Sequence, residues 1–374
     1  MKYFLTFFIA FLTLNLFSQT DVQKIVNKKN SAFEKFKQSQ IKEKNSFYFE
    51  QDNGFIQYKS QIEKLWNEFK ESTPSKWVSY NKDFSGRNSV DFKNGKIQIS
   101  TVLDSNSQKA EKNLTNQLSA ILSEKTKNNL SILKDQVENP LNPNQKLSQQ
   151  NVKKLSKKIF KKVKKTKIKG KDGKIRVKYT ISLKMVPNHL QKRIQMFKPE
   201  IEKNCKRFEI NPDLALAIIH TESYFNPKAY NRKGNAYGMM QIVPKYAGKI
   251  MNKQLNHQNG KPSPKYLYNP KNNLKMGIGY LRWLANNKWS AVHKKTNLEY
   301  CLICSYNGGP GSIYKAMTGK MRKISQKKWD KMMNNLNKMS SKKLFKQLKK
   351  KIPFKETRDY LQIVVNRENK IYKK

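Results

Sequence analysis

Residues 211–222 read Asn-Pro-Asp-Leu-Ala-Leu-Ala-Ile-Ile-His-Thr-Glu, and this stretch predicts a helix that is buried along most of its length. It begins with an N-cap residue and has proline at the first helical position. Leu214, Ile218 and Glu222 are each four residues apart, so Glu222 continues the apolar stripe of the helix. Because burial disfavours a charged carboxyl group, we expect the pKa of Glu222 to be raised, as a general acid near neutral pH requires.

Glu222 has no acidic neighbour on its C-terminal side for a long distance, since the next Asp or Glu is Glu299. A glycosidase of the usual kind uses two carboxyl groups. The acid-free stretch therefore suggests a sugar-cleaving reaction in which one carboxyl group does two jobs. The alternative is a surface glutamate at a frayed helix end, and Glu299 or Asp359 could still approach Glu222 in the folded chain.

The composition describes a large and very basic chain. It has 374 residues, enough for two or three domains, and a formal net charge of +51. Hydrophobic residues make up 37% and charged residues 28%, which excludes a chain that is disordered throughout. A charge of this size attracts polyanions, of which nucleic acid is the first candidate.

The N-terminus argues against nucleic acid as a partner. Residues 1–19 have the pattern of a signal peptide, with Lys2 before an apolar run from Tyr3 to Phe17. The run is shorter than the ~18 residues that span a bilayer, which favours cleavage over an uncleaved anchor. We expect an exported protein of the periplasm or cell envelope, whose charge contacts anionic cell-wall or membrane surfaces. No cysteine near the cleavage site is available for lipid attachment, so outer-membrane association is left open.

The rest of the chain predicts an α+β fold overall. Residues 20–54 are charged and irregular, residues 55–185 predict a small α+β domain, and residues 186–374 predict a mainly helical catalytic domain. The α+β prediction depends on the spacing of apolar residues. The patterns are a helix between Phe55 and Phe69, a hairpin around Asn94-Gly95, a helix between Leu114 and Leu122, and a strand between Ile175 and Met185.

Two segments are strongly basic. Residues 151–180 contain 14 Lys or Arg and a single acid, and residues 322–355 have the spacing of one or two amphipathic helices. Each segment could be a solvated face or a docking surface for a polyanion. The cysteines are Cys205, Cys301 and Cys304, which we expect to be buried, unreactive thiols. An oxidising compartment would also allow Cys205 to pair with one of the other two.

Four short motifs occur in a fixed order. They are Glu222-Ser223, Gly238-Met239-Met240-Gln241, Tyr306-Asn307-Gly308-Gly309 and Glu356-Thr357-Arg358-Asp359-Tyr360. The first three resemble the three signature motifs of the lytic transglycosylases of goose-lysozyme type, and the fourth strengthens the resemblance. Residues 185–190, 262–270 and 90–99 also resemble a membrane-bound branch of that family. The resemblance extends from about residue 60 to the C-terminus, with the motifs confined to the second half.

This resemblance implies a lysozyme-like catalytic domain that acts on peptidoglycan glycan strands, with no cofactor and no metal. Glu222 would protonate the bond between N-acetylmuramic acid and N-acetylglucosamine and then act as a base, and the product would end in a 1,6-anhydro sugar. The substrate's acetamido group would replace a second carboxylate. The positions that match substrate-contacting residues of the family are Ser223, Met240, Gln241, Tyr306, Asn307 and Tyr360.

Three other interpretations stay open on the sequence. A hydrolytic muramidase could use the same fold, and a non-catalytic wall-binding module could retain it, although an intact Glu222 argues against the latter. A zinc-dependent nucleic-acid deaminase has a similar pattern of His-x-Glu and Cys-x-x-Cys. Here the pattern consists of residues 220–222 and 301–304, but Tyr300 replaces the proline that precedes the first cysteine in such enzymes.

Overall fold

The computed structural model describes residues 53–104, 107–142, 145–321 and 325–373. The predicted signal peptide, residues 1–19, lies outside the described residues. The chain divides into two compact units, residues 1–64 and residues 65–374. The described residues of the first unit belong to helix α1, residues 53–65, which confirms the helix predicted between Phe55 and Phe69 but ends four residues earlier. None of the described helices is both long and apolar enough to cross a membrane.

The second unit begins with a five-stranded antiparallel sheet. Its strands are β1 (Lys76–Tyr80), β2 (Gly86–Asp91), β3 (Lys96–Leu103), β4 (Lys164–Lys169) and β5 (Ile175–Lys184). Their order in the sheet is β1-β2-β3-β5-β4. The hairpin predicted around Asn94-Gly95 joins β2 to β3, and the predicted alternating strand is β5, so both predictions are confirmed.

Two helices, α2 (Ser107–Ser123) and α3 (Gln149–Phe160), complete the first hydrophobic core. Helix α2 packs on β2 and β3, and α3 packs on α2. Because side chains alternate along a strand, Ile97 and Ile99 point to the same side of the sheet. Both are at most 1% exposed and share a core with Leu114 and Leu118, which confirms the predicted second helix.

Strands β1 and β4 were not predicted from the sequence. Strand β4 reads Lys-Lys-Thr-Lys-Ile-Lys, and Ile168 is its buried residue. As the outermost strand of the sheet it is held by main-chain hydrogen bonds to β5, so it needs little apolar alternation. Lysines on an outer strand also discourage pairing with another chain.

The remainder of the second unit is mainly helical. The helices are α4 (His189–Phe208), α5 (Pro212–Ser223), α6 (Lys249–Asn256), α7 (Pro264–Leu267), α8 (Pro270–Lys288), α9 (Lys295–Gly308), α10 (Pro310–Thr318), α11 (Gln326–Lys338), α12 (Ser341–Lys351) and α13 (Lys355–Arg367). The short strands β6 (Tyr230–Asn231) and β7 (Ala236–Tyr237) and π-helical turns at Pro244–Gly248 and Glu368–Tyr372 lie between or after them. The helices predicted in the second basic segment are α11 and α12.

A second hydrophobic core lies among these helices, with α5 inside it. Leu214, Ile218 and Ile219 of α5 are at most 1% exposed, and the helix packs against α4 and α13. The prediction that this helix is buried is confirmed. The fold is therefore α+β overall, with a mainly helical C-terminal part. The three cysteines are buried and free, as expected.

Arg193 of α4 connects the sheet to the helical part. Its side chain is 0% exposed and donates hydrogen bonds to Phe92 O (2.9 Å), Gln136 Oε1 (2.8 Å) and Tyr224 O (3.1 Å). Its guanidinium carbon also lies 4.9 Å from the centre of the Phe92 ring. A buried guanidinium is stable only when its N–H groups are bonded. Arg193 therefore fixes the turn after β2 against the end of α5.

We expect Arg193→Met to lower the free energy of unfolding by roughly 3 kcal/mol, because three oxygens lose their donor and two of them are buried. Urea denaturation followed by circular dichroism would measure the loss. Arg207→Met, on the exposed side of the same helix, is the matched control and should cost less than about 1 kcal/mol. Equal losses in the two variants would contradict this role of Arg193.

Candidate active site

Glu222 lies in the last turn of α5, where that helix packs against α13. The Tyr360 hydroxyl donates a 2.6 Å hydrogen bond to Glu222 Oε1. Burial raises the pKa of Glu222 to about 7, the Tyr360 hydrogen bond opposes this rise, and the charge of Glu356 adds to it. The raised pKa predicted from the apolar stripe is therefore confirmed. Near neutral pH a large fraction of Glu222 is protonated and can donate a proton.

The chain turns sharply just after Glu222. Tyr224 and Phe225 have φ angles of 55° and 58°, in the left-handed region that residues other than glycine rarely adopt. The turn is held by Tyr224 N, which donates to His220 O (3.1 Å), and by Arg193 Nε, which donates to Tyr224 O (3.1 Å). The His220 ring also packs edge-on against the Tyr224 ring. These contacts fix the backbone from which the Glu222 side chain extends.

Ser223 connects the first motif to the second. Its side chain is fully buried, and its hydroxyl donates to Met239 O (2.7 Å). The Tyr306 hydroxyl, from the third motif, donates to the next carbonyl, Met240 O (2.7 Å). Two successive carbonyl groups of residues 238–241 thus accept hydrogen bonds from the first and third motifs, which brings the three motifs together.

Asn273 of α8 holds the same segment from another side. Its Oδ1 accepts from Met240 N (2.8 Å), and its Nδ2 donates to Tyr237 O (2.8 Å) and Leu267 O (3.0 Å). Gly238 is required beside it, because its φ is +74° and a Cβ there would lie 2.4 Å from Asn273 Nδ2. Sequence reasoning missed Asn273, since it is one of four asparagines in α8 and nothing in the sequence shows that it is the one that points inward.

Met240 and Gln241 differ in what their side chains do. The Met240 side chain is fully buried and packs so closely on Gly277 that a Cβ there would lie 2.2 Å from its Sδ. Gln241 Nε2 donates to Gly238 O (2.9 Å), whereas Gln241 Oε1 has no hydrogen-bond partner among the described residues. Gln241, the last residue of the second motif, therefore has one acceptor oxygen without a hydrogen bond.

Tyr306 lies close enough to Glu222 for the carboxylate charge to affect the pKa of its hydroxyl. Burial raises the pKa of the Tyr306 hydroxyl well above its ordinary value, and the charge of Glu222 raises it further. Its ring centre is 5.9 Å from that of Tyr280. A hydroxyl in this environment stays protonated and acts as a hydrogen-bond donor.

Hydrogen bonds also connect the third motif to the fourth. Thr357 Oγ1 donates to Asn307 Oδ1 (2.7 Å), and Asn307 Nδ2 donates to Glu356 Oε1 (3.4 Å). Gly308 permits this close packing of α9 on α13, since a Cβ there would lie 2.4 Å from Thr357 Oγ1. The result is an exposed Glu356 carboxylate whose charge reaches Glu222.

The carboxylate that approaches Glu222 is thus neither of the two that the sequence left open. Glu299 Oε1 accepts from Asn211 Nδ2 (3.0 Å), at the opposite end of α5 and roughly 16 Å along the helix axis from Glu222. Asp359 pairs with Lys355 Nζ (2.5 Å), and this hydrogen bond lowers the pKa of Asp359. The fourth motif contained Glu356, but only the folding of α13 against α9 shows which of its acids approaches the site.

The structure therefore brings the Glu222 carboxyl, the Tyr306 and Tyr360 hydroxyls and the backbone of residues 238–241 to one place. The side chains of Ser223 and Met240 are fully buried beneath the surface of this site. Substrate contacts stay predictions for the whole set, which is Ser223, Met240, Gln241, Tyr306, Asn307 and Tyr360.

The deaminase-like pattern does not form a metal site. Among the described residues, no group of three or more His, Cys, Asp or Glu side chains could hold a metal ion. Cys301 and Cys304 are fully buried in α9, and burial raises the pKa of both thiols. His220 Nδ1 is instead 3.0 Å from the Tyr372 hydroxyl.

We expect Glu222→Gln to stabilise the protein at high pH but not at low pH. The pKa of Glu222 is about 7 in the folded chain, against 4.5 for an ordinary glutamate, so its stabilising contribution is complete below pH 4.5 and is lost as the pH rises through 7. The neutral amide has no such dependence. Urea unfolding should show the variant gaining roughly 3 kcal/mol over the parent between pH 4.5 and pH 8. A difference that stays constant with pH would contradict the raised pKa.

Comparisons with known proteins match both parts of the chain. Residues 199–329 match the model of the transglycosylase SLT domain. Residues 40–196 match the model of the N-terminal domain of membrane-bound lytic murein transglycosylase C.

Curated relatives carry the second of these names. Membrane-bound lytic murein transglycosylase C of Yersinia pestis (strain Pestoides F) is 37% identical over 194 residues, covering 52% of this chain and 51% of the relative. The protein of the same name from Serratia proteamaculans (strain 568) is 34% identical over 209 residues, covering 56% and 55%. The chain thus spans about half the length of the curated relatives that it matches.

Solved structures with some similarity include two lytic transglycosylases. The 70 kDa soluble lytic transglycosylase Slt70 of Escherichia coli has a TM-score of 0.35 and 23% identity, over 48% of this chain and 25% of that one. An inactive mutant of lytic transglycosylase Slt from Pseudomonas aeruginosa has a TM-score of 0.32 and 21% identity, over 46% and 23%. Residues 199–329 of this chain therefore match the transglycosylase SLT domain, and residues 40–196 before them match the N-terminal domain of membrane-bound lytic murein transglycosylase C.

Proposed function

We propose that this chain is a peptidoglycan lytic transglycosylase, which cleaves the β-1,4 bond between N-acetylmuramic acid and N-acetylglucosamine without water. The observation that carries the proposal is the half-buried Glu222 carboxyl, with its pKa near 7 and one oxygen held by Tyr360. The SLT family match supports it, and so do the curated relatives, whose name refers to murein.

One carboxyl group can carry out the whole proposed reaction. Tyr360 occupies Glu222 Oε1, so Oε2 is the oxygen that carries the proton to the glycosidic oxygen. As that bond breaks, the substrate's own acetamido oxygen stabilises C1. The C6 hydroxyl then attacks C1 and gives its proton back to Glu222, which closes a 1,6-anhydro ring. A group with its pKa near the working pH suits both proton transfers.

A hydrolytic muramidase is the second candidate, because Glu356 supplies a second acidic group near Glu222. In an inverting hydrolase one carboxyl group acts as the acid, and the other activates a water molecule. Glu356 is exposed and hydrogen-bonded to Asn307, so water can reach it. The hydrolytic mechanism would require Glu356, whereas the one-carboxyl mechanism would not use it for proton transfer.

The products of digestion distinguish the two mechanisms. We expect mass spectrometry of digested peptidoglycan to show fragments ending in 1,6-anhydro sugar, one water lighter than hydrolysis products. Glu222→Gln should reduce cleavage by at least about a thousandfold, because general acid catalysis is lost together with the following base step. Glu356→Gln should still give anhydro ends. Reducing ends, with equal loss in the two variants, would instead show a hydrolase.

We also propose that the enzyme works in the cell envelope, where its positive charge holds it to anionic surfaces. Exposed lysines include Lys164, Lys165, Lys167 and Lys169 on β4, and Lys350 and Lys351 at the end of α12. Such charges attract an anionic polymer at long range. The charge would then concentrate the enzyme on sacculi without contributing to bond cleavage.

Salt should therefore affect large and small substrates differently. We expect activity on whole sacculi to fall more steeply between 0.05 and 0.5 M NaCl than activity on short soluble glycan fragments, because salt screens attraction to a large charged surface. Turnover of both substrates under the same conditions would be measured. Equal salt sensitivity would show that the charge does not recruit the enzyme to its substrate.

A further inference from the structure

A groove in the N-terminal part lies between β1 and α2. Helix α2 packs on β2 and β3, so β1 at the edge of the sheet has part of one face uncovered. Trp77 and Ser79 of β1 lie on that face, and Asn88 is directly opposite Ser79 in the register. Gln117 of α2 faces them across the gap. Main-chain geometry therefore creates a groove with a strand as its floor and a helix as its wall.

The first section of the groove is a cavity of about 410 Å³ that is lined mainly by side-chain amides and aromatic rings. Its amides include Asn88, Asn113, Asn116 and Gln117. Asn88 Oδ1 and both polar atoms of the Gln117 amide are buried and lack a hydrogen-bond partner among the described residues. Gln117 is only 8% exposed. Buried amides are nearly always bonded, so these unused donors and acceptors indicate that a polar molecule belongs in the cavity.

The second section is a cavity of about 430 Å³, and lysines and aromatic rings line it. Lys125 and Lys127 follow α2, and Lys265 and Tyr268 come from the SLT part of the chain. The three lysines are exposed at the rim. A cavity of this composition favours a ligand that carries carboxylates.

The two sections are contiguous, because Trp77 and Glu124 line both. At this junction Lys228 Nζ is 2.6 Å from Glu124 Oε1 and 5.5 Å from the centre of the Trp77 ring. Glu124 is the charged residue in the amide-lined section, where it would repel a phosphate backbone. The groove therefore suits a ligand that is neutral at one end and acidic at the other.

On the basis of the proposed function, we propose that this groove binds an uncleaved segment of peptidoglycan strand, away from Glu222. Sugar hydroxyl and acetamido groups need both donors and acceptors, which asparagine and glutamine supply together. The apolar face of a sugar ring can pack on Trp77. Carboxylates of the lactyl group and stem peptide would lie among the lysines. Volumes of 300–1,000 Å³ are typical of ligand sites.

Binding can be measured without turnover by calorimetry on the full chain carrying Glu222→Gln. The probes are chitotetraose, which has no carboxylate, and the disaccharide GlcNAc–MurNAc-tetrapeptide. We expect two molecules of either probe per chain, one at the site of residue 222 and one in the groove. A stoichiometry of one for both probes would overturn the proposal.

Gln117→Leu tests the amide-lined section. Leucine has a similar size and removes two unsatisfied polar atoms, so this variant should fold at least as stably as its parent. We nevertheless expect the groove to bind both probes at least tenfold more weakly, so that only one molecule per chain is detected. Unchanged affinity of both sites, with the fold intact by circular dichroism, would overturn the assignment of the sugar to this cavity.

The triple variant Lys125→Gln, Lys127→Gln and Lys265→Gln tests the lysine-lined section. It should weaken the groove's affinity for the tetrapeptide probe by at least tenfold and leave that for chitotetraose unchanged. The matched control is Lys167→Gln, Lys169→Gln and Lys174→Gln, which removes the same charge from exposed positions of β4 and the turn after it. Equal effects of the two triple variants would show nonspecific charge attraction in place of a site.

These measurements separate the groove from the proposed reaction. The parent enzyme could make no anhydro products while the number of probe molecules bound per chain changes as expected in the groove variants. That result would support the groove and contradict the proposed function. If anhydro products form but the groove variants bind the probes like their parent, only the groove proposal is contradicted. Preferential binding of a single-stranded oligonucleotide over both glycan probes would also overturn the proposal.

Discussion

The geometry of the candidate active site depends on the contacts that hold the last turn of α5. This helix is apolar enough to be buried, and burial alone would place Glu222 somewhere in the protein interior without a defined direction. Its direction comes from three contacts of different origin: Arg193 on the carbonyl of Tyr224, Ser223 on the carbonyl of Met239, and Tyr360 on the carboxyl itself. The first of these depends on the sheet, because Arg193 is also bonded to Phe92. The N-terminal part thereby contributes to the geometry of a site to which none of its described residues gives a side chain.

Local patterns predicted those parts of the fold in which neighbouring residues share one environment. The helix of residues 211–222, the hairpin at Asn94-Gly95 and the raised pKa of Glu222 all follow from spacing and polarity within a few residues. Strand β4 could not be found in this way, since its hydrogen bonds to β5, and not its side chains, define it. Asn273 and Glu356 were missed for a related reason. Their roles depend on which helices pack together. The spacing of residues along one helix does not predict that packing.

Some buried polar atoms of the described residues have no hydrogen-bond partner. Gln241 Oε1 lies beside the candidate catalytic site, and Asn88 and Gln117 lie in the groove of the N-terminal part. A folded chain normally satisfies its buried amides, because an unbonded one lowers stability. Those in the groove support its assignment to an external polar molecule, and therefore a role for the sheet beyond the support of α5. A glycan strand long enough to contact both the candidate catalytic site and the groove would be held at two points along its length.

The end of the helix at which Glu222 lies has a further consequence. The peptide dipoles of α5 sum to a partial negative charge at the C-terminal end, and this charge disfavours an ionised carboxylate there. The dipole thus acts in the same direction as burial and keeps the proton on Glu222. An equally buried glutamate in the first turn of the same helix would meet the opposite field and ionise more readily. The direction in which the chain runs through its core therefore helps to decide whether this side chain is an acid or a carboxylate at neutral pH.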